Sequence, residues 1–183
     1  RANQVERIQG IIPEQVRLRF PIINKTLGYW LSQDPSAKVR RQVAATAHRP
    51  EVQLKLALDG EISVRLALAE NRQLSAYCHR VMASDPEEKV QTVLANNTYV
   101  KGDAEMFGFN ILAYSDFEQV RVAAAANPLT PGEFIEMLCL HDDSHEVQVC
   151  AASNPNLSKL SHLVKQKTGD VEILAALARN PNA

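Results

Sequence analysis

The sequence predicts an all-α fold, an α-solenoid of about six helical-hairpin repeats of roughly 26 residues. Three observations carry this. Aromatic residues make up only 5% of the chain and Gly only 7 positions, while Ala, Leu, Val, Gln and Glu are plentiful, a balance that favours helix over sheet. A phrase of the form Asp, then Val-Arg, then Ala-x-Asn-Pro recurs through most of the chain. Spacing inside each copy is constant while spacing between copies varies, as rigid helices joined by adjustable loops require.

The copies open at Asp34, Asp59, Asp85, Asp116, Asp143 and Asp170. Their β-branched anchors are Val39, Val64, Val90, Val120, Val147 and Ile173, which stand 25, 26, 30, 27 and 26 residues apart. Five residues past each anchor is an Ala: Ala44, Ala69, Ala95, Ala125, Ala152 and Ala178. Seven residues past it stands Thr46 in the first copy and Asn71, Asn97, Asn127, Asn154 and Asn180 in the others.

Residues 1–33 carry the phrase only in part. Glu14-Gln15-Val16-Arg17 fits, but Pro21 and Ile23 stand where Ala and Asn belong, so a degenerate N-terminal capping repeat is expected there. Tandem repeats then fill 34–183, divided as 34–58, 59–84, 85–115, 116–142, 143–169 and a partial 170–183. In each, a first helix is expected to start at the Asp, an N-cap for first-turn amides, with Pro35 and Pro86 at the first helical position. Glu88, Gln119 and Glu146 would complete capping boxes. At about 100° per residue, Val120, Ala123, Ala124 and Asn127 share one face and should point into the core.

The first helix should end at the Asn, because a following Pro disfavours helical geometry in the residue before it. A second helix follows, capped at Thr130-Pro131 or Ser158, with apolar stripes such as Leu74, Tyr77, Cys78, Val81 and Met82, or Phe134, Ile135 and Leu138. A hairpin of this size cannot bury its apolar face alone, so the copies must stack. The Ala beside the core stripe would permit close approach of neighbouring repeats. The Asn residues are expected to form a buried, hydrogen-bonded ladder.

The phrase D-x-x-x-V-R-x-x-x-A-x-N-P with its apolar second segment resembles the leucine-rich repeat variant family of bacterial proteins, over roughly residues 34–183. More broadly it is similar to HEAT-type solenoids, whose members mostly scaffold proteins and a few of which bind DNA. The resemblance implies a right-handed superhelix in which an α-helix pairs with a shorter, often 3₁₀, helix. This chain departs from the family in its slightly longer repeats. It also lacks the cysteine-rich iron–sulfur segment of one member, so no cofactor is expected.

The formal charge of -1 gives no overall pull toward nucleic acid or anionic membrane. Its distribution is uneven, with ten Lys or Arg against four Asp or Glu in residues 1–58 and ten against seventeen afterwards. Cys78, Cys139 and Cys150 are odd in number and form no C-x-x-C pair, which fits a reduced, cytoplasmic compartment. No run of eighteen apolar residues and no leader-like segment points to a membrane. Starting at Arg1 and stopping just after an Asn-Pro pair, the sequence reads as a piece of a longer protein.

Arg40, Arg65, Gln91, Arg121 and Gln148 follow the anchors and would form a row along the stack. Two readings are open: contact with phosphates or an acidic partner, or pairing with neighbouring Asp caps and carbonyls. The two uncharged Gln favour the second. A basic end comprises Arg17, Arg19, Lys25, Lys38, Arg40, Arg41, His48 and Arg49, a candidate nucleic-acid footprint without aromatic interleaving. The longest repeat places Tyr99, Phe107, Phe109 and Tyr114 with Gly102 and Gly108 between Asn97 and Asp116, either as a binding loop or as core-filling helix.

His141-Asp142-Asp143-Ser144-His145 sits at a turn, and no metal is expected there. The chain carries no G-x-S-x-G, no P-loop and no dinucleotide fingerprint, and its cysteines have no basic partner at recognisable spacing. The expectation is a non-enzymatic repeat scaffold that binds a protein partner through its concave face, with no membrane and no small-molecule substrate. The alternative is a nucleic-acid-binding solenoid using the basic end and the Arg row. A HEAT-like DNA glycosylase comes third, since Trp30 is the only Trp and no carboxylate is singled out.

Overall fold

A computed structural model describes residues 12–18, 27–100, 108–157 and 169–182. Its helices are α1 (Glu14–Arg17), α2 (Leu27–Leu31), α3 (Ala37–Thr46), α4 (Pro50–Ala57), α5 (Ile62–Ala69), α6 (Ala76–Met82), α7 (Glu88–Ala95), α8 (Phe109–Leu112), α9 (Glu118–Ala126), α10 (Gly132–His141), α11 (His145–Ser153) and α12 (Val171–Arg179). No β-strand occurs among the described residues, and no helix among them is long and apolar enough to cross a membrane. The first helices of consecutive repeats pack on one another: α3 on α5, α5 on α7, α7 on α9, α9 on α11 and α11 on α12. Alongside them α4 packs on α6, and α4–α5, α6–α7, α8–α9 and α10–α11 contacts join each second helix to the next first helix. This all-helical, neighbour-to-neighbour arrangement is compatible with an α-solenoid.

The anchors lie at the centre of the packing. Val39, Val64, Val90, Val120 and Val147 have no exposed surface, and Ile173 is buried with them. Ala44, Ala69, Ala95, Ala125 and Ala152 are likewise fully enclosed between first helices, where a side chain beyond Cβ would meet the neighbouring helix. Ala178 differs. It is exposed, because among the described residues no helix packs on the far side of α12.

The helix starts correct one expectation. The recurring carboxylate lies five residues before the anchor, at Asp34, Asp59, Asp85 and Asp142, with Ser115 in the fourth repeat. Asp116, Asp143 and Asp170 are therefore not its equivalents. Asp34, Asp59, Asp85 and Asp142 each accept the amide two residues on, from Ser36, Glu61, Glu87 and Ser144 at 2.9–3.0 Å, and Ser115 accepts that of Phe117 at 3.3 Å. These are side-chain turns that aim the chain into the helix, not N-caps. The N-caps are Ser36, Glu61, Glu87, Phe117, Ser144 and Asp170, of which only Ser144 and Asp170 cap with their side chains. Pro35 and Pro86 consequently precede the N-cap, and Glu88, Gln119 and Glu146 fall in the first two helical positions, too early to close a capping box.

The helix ends follow the chemistry of the next residue. α9, α11 and α12 stop at Asn127, Asn154 and Asn180, each extended in front of a Pro. Without that Pro, α5 and α7 pass through Glu70 and Asn96 in helical geometry before turning at Asn71 and Asn97. Thr130 caps nothing: Pro131 is the N-cap of α10, and the Thr130 hydroxyl donates to the Ala124 carbonyl at 2.6 Å. Ser158, Pro21, Ile23 and most of the expected capping repeat lie outside the described residues.

Candidate functional site

Two polar ladders run through the stack. In the first, Asn71, Asn97, Asn127, Asn154 and Asn180 are all buried. The Asn127 side-chain amide donates to the carbonyls of Ala95 at 2.6 Å and Asn97 at 3.3 Å, in the preceding repeat. Asn154 does the same to Ala125 and Asn127, Asn97 to Ala69 and Asn71, and Asn180 to Ala152 and Asn154. Asn71 reaches Ala44 and Ala47, one residue later, because α3 runs on through Thr46. Each Asn oxygen in turn accepts the amide two residues on, as Asn127 does from Leu129 at 2.8 Å. Both donors and the acceptor of every rung are thereby satisfied.

The second ladder is the Arg row. The Arg40 guanidinium forks onto Asp59 of the next repeat at 2.6 and 3.0 Å, and its remaining nitrogen donates to the Asp34 carbonyl of its own loop. Arg65 repeats this with Asp85 and the Asp59 carbonyl, and Arg121 with Asp142 and the Ser115 carbonyl. Arg17 of α1 pairs with Asp34 in the same way. Where Ser115 replaces the carboxylate, the partner is Gln91, which accepts the Ser115 hydroxyl at 2.7 Å and donates to the Asp85 carbonyl. Gln148 donates to the Asp142 carbonyl.

The four forked pairs are nearly desolvated, with arginine side chains 9–18% exposed. Such burial is costly unless geometry and extra hydrogen bonds offset it, and bidentate pairing with a third bond supplies both. The hydrogen bond to Asp59 raises the Arg40 pKa above its ordinary value. Burial pushes the Asp59 carboxyl up, but hydrogen bonds from Arg40 and the Glu61 amide, with the charges of Arg40 and Arg65, leave it below the usual range. The row proposed as a cationic contact surface is thus engaged inside the fold. Of the tentative binding residues only Arg41 is exposed.

At the basic end, Lys38, Arg41 and His48 are exposed and Arg49 lies 3.8 Å from Glu51. Arg19 and Lys25 lie outside the described residues. In the longest repeat Phe109 is core, packed 5.0 Å from the His79 ring, whereas Tyr99 and Tyr114 are exposed. Phe107 and Gly102 lie outside the described residues. The His141–His145 turn is divided among other duties: Asp142 holds Arg121, Ser144 bonds Glu118, and His145 meets Asp170 at 2.9 Å. Among the described residues no group of three His, Cys, Asp or Glu is gathered to hold a metal. Burial pushes the Cys78 thiol up to about 12 and Cys139 to about 11, so neither is a nucleophile near neutrality.

The solvent side of the first-helix row is of a different character. Two residues past each anchor stand Arg41, Leu66, Thr92, Val122, Val149 and Ala175, of which all but Arg41 are half-buried. Val93 and Cys150, one residue further on, are half-buried beside them. At the C-terminal ends of α3, α5 and α7 this face opens into two adjoining hollows of about 390 and 330 Å³ that share Glu70 and Arg72. Thr46 and Gln73 help to line one, Val93 and Tyr99 the other. Sequence reasoning named Tyr99 but missed Glu70 and Arg72, which fall outside the repeated phrase. It also missed Gln53, a fully buried side chain that bridges the Ala47 and Gln73 carbonyls and accepts the Ser75 amide. No family model, no curated protein and no solved structure matches this chain.

Proposed function

We propose that the chain is a right-handed α-solenoid of about six hairpin repeats, similar to the leucine-rich repeat variant family, and that it is a non-enzymatic scaffold for protein–protein interaction. The observation that carries this reading is the division of labour among its polar groups. The ladder arginines are paired within the fold, and the face left to solvent along the first helices is mixed: half-buried Leu66, Val93, Val122 and Val149 with Thr92, Glu70 and Arg72. An interaction surface of apolar stripes rimmed by polar groups fits protein better than a polyanion, which needs a continuous basic track.

The test is quantitative affinity capture with the parent chain and with Val122→Glu/Val149→Glu, which places two carboxylates on that stripe. Partners retained by the parent and lost by the double variant, at unchanged melting temperature, support the reading. Equal retention by both places recognition elsewhere, and an empty parent lane contradicts the scaffold. The exposed Lys38, Arg41 and His48 at the basic end favour nucleic-acid binding as the second reading.

A further inference from the structure

Arg72 and Glu70 are charged groups that the ladders leave over. Arg40, Arg65 and Arg121 each hold a carboxylate, but Arg72 makes no carboxylate pair among the described residues. Its guanidinium lies instead over the Tyr99 ring, 4.6 Å from the centroid, with the side chain exposed. Stacking on an aromatic face fixes the plane of a guanidinium while leaving its N–H edge open for bidentate hydrogen bonding to an oxyanion. Glu70 is equally unexplained by the fold. It is the C-cap of α5, where the helix dipole is negative and a carboxylate is disfavoured. It too is exposed, and no ion pair is formed with it among the described residues.

The two charges stand where the adjoining hollows meet, at the ends of three successive first helices. The two adjoining hollows make one trough that is open to solvent and not a closed pocket, so its occupant should be a chain and not a compact small molecule. Resting on the protein-binding reading above, we propose that this trough is a peptide-docking site for an extended segment of a partner protein that sets a carboxylate on Arg72 and a cationic side chain on Glu70. Thr46 and Gln73 on one side and Val93 on the other would line the peptide's path. Tyr99 acts as a positioning residue, holding the Arg72 plane.

The test is selection of displayed random linear peptides against the whole chain and, in parallel, against Arg72→Glu. The parent should enrich peptides with one acidic and one basic residue at a fixed separation. Arg72→Glu should bind those peptides at least about tenfold more weakly and should itself select a base in place of the acid. Tyr99→Ala should weaken binding and Tyr99→Phe restore it. A switch of selected charge cannot come from loss of structure, which the melting temperature checks independently. Enriched peptides that bind Arg72→Glu as well as the parent would overturn the site while leaving the scaffold reading intact. If no peptide is enriched the proposal also fails, and the capture experiment then decides the scaffold reading on its own.

Discussion

Asn127 shows why a polar residue recurs in the middle of a core. Three hydrogen bonds meet on its side chain, so Asn127→Leu leaves the Ala95 and Asn97 carbonyls and the Leu129 amide without partners. A loss of roughly 2–4 kcal/mol is expected in urea denaturation, far beyond the change in apolar area. The Arg row makes a matched prediction. Arg65→Gln strands Asp85, a buried carboxylate, and should cost about 2–4 kcal/mol, whereas Arg65→Gln/Asp85→Ser recreates the Gln91–Ser115 pair and should recover most of it. That correspondence was legible beforehand: Arg precedes a repeat whose turn holds Asp, and Gln91 precedes one that holds Ser115. It was obscured because Asp116 and Asp143 lie one residue past the true turn position, and aligning on Asp instead of counting back from the anchor hides Ser115 and Asp142. Arg72 and Glu70 gave no comparable signal, because a charge without a repeat-wide pattern looks like any solvated side chain.

His79 adds a pH dependence at the same scale. The ring is fully buried, its Nδ1 accepts the Gly108 amide at 3.1 Å, and burial pushes its pKa down to about 4 against 6.5 in the unfolded chain. A backbone hydrogen bond with Leu94 partly opposes that fall. Because the folded pKa is depressed, the unfolded chain binds the proton first. Stability is complete above pH 6.5 and declines as the pH falls toward 4, by about 3 kcal/mol at most. Urea midpoints between pH 7 and 4.5 should fall more steeply for the parent than for His79→Gln. Parallel slopes would mean that the ring is not desolvated.

At the scale of elements, the first helices are held apart by one methyl group per repeat. Ala125 is fully enclosed, with α11 packed on α9, and Ala125→Phe should cost at least about 1–3 kcal/mol through overpacking. Ala178 occupies the same phase in α12 but is exposed, so Ala178→Phe should leave the melting temperature within about 2 °C of the parent. Equal losses in the two variants would mean that helix propensity, and not stacking, explains the recurring Ala. The phase itself was readable from sequence because the interval from anchor to Ala is set inside one helix. Helix starts were not, because each is set by a loop of its own length. Gly108 also belongs to this scale: a Cβ there would stand 2.5 Å from that of Ala83, so the chain entering α8 can pass over α6 only as glycine.

Across the whole molecule, net charge is close to zero but its sign changes along the stack, basic before residue 59 and acidic after it. Pairing within the ladders removes Arg40, Arg65 and Arg121 from any external field, leaving Lys38, Arg41 and Lys55 as the exposed cations of the first repeat. So few charges cannot release many counterions from a polyanion. The central claim is that the arginines serve the fold while the remaining surface serves a protein partner. Fluorescence anisotropy of labelled single- and double-stranded DNA and RNA, titrated with the protein across a salt series, tests it most directly. The account predicts no saturable binding even at low salt. Tight binding that weakens steeply as salt rises, and that Lys38→Glu/Arg41→Glu abolishes without unfolding the chain, would contradict it.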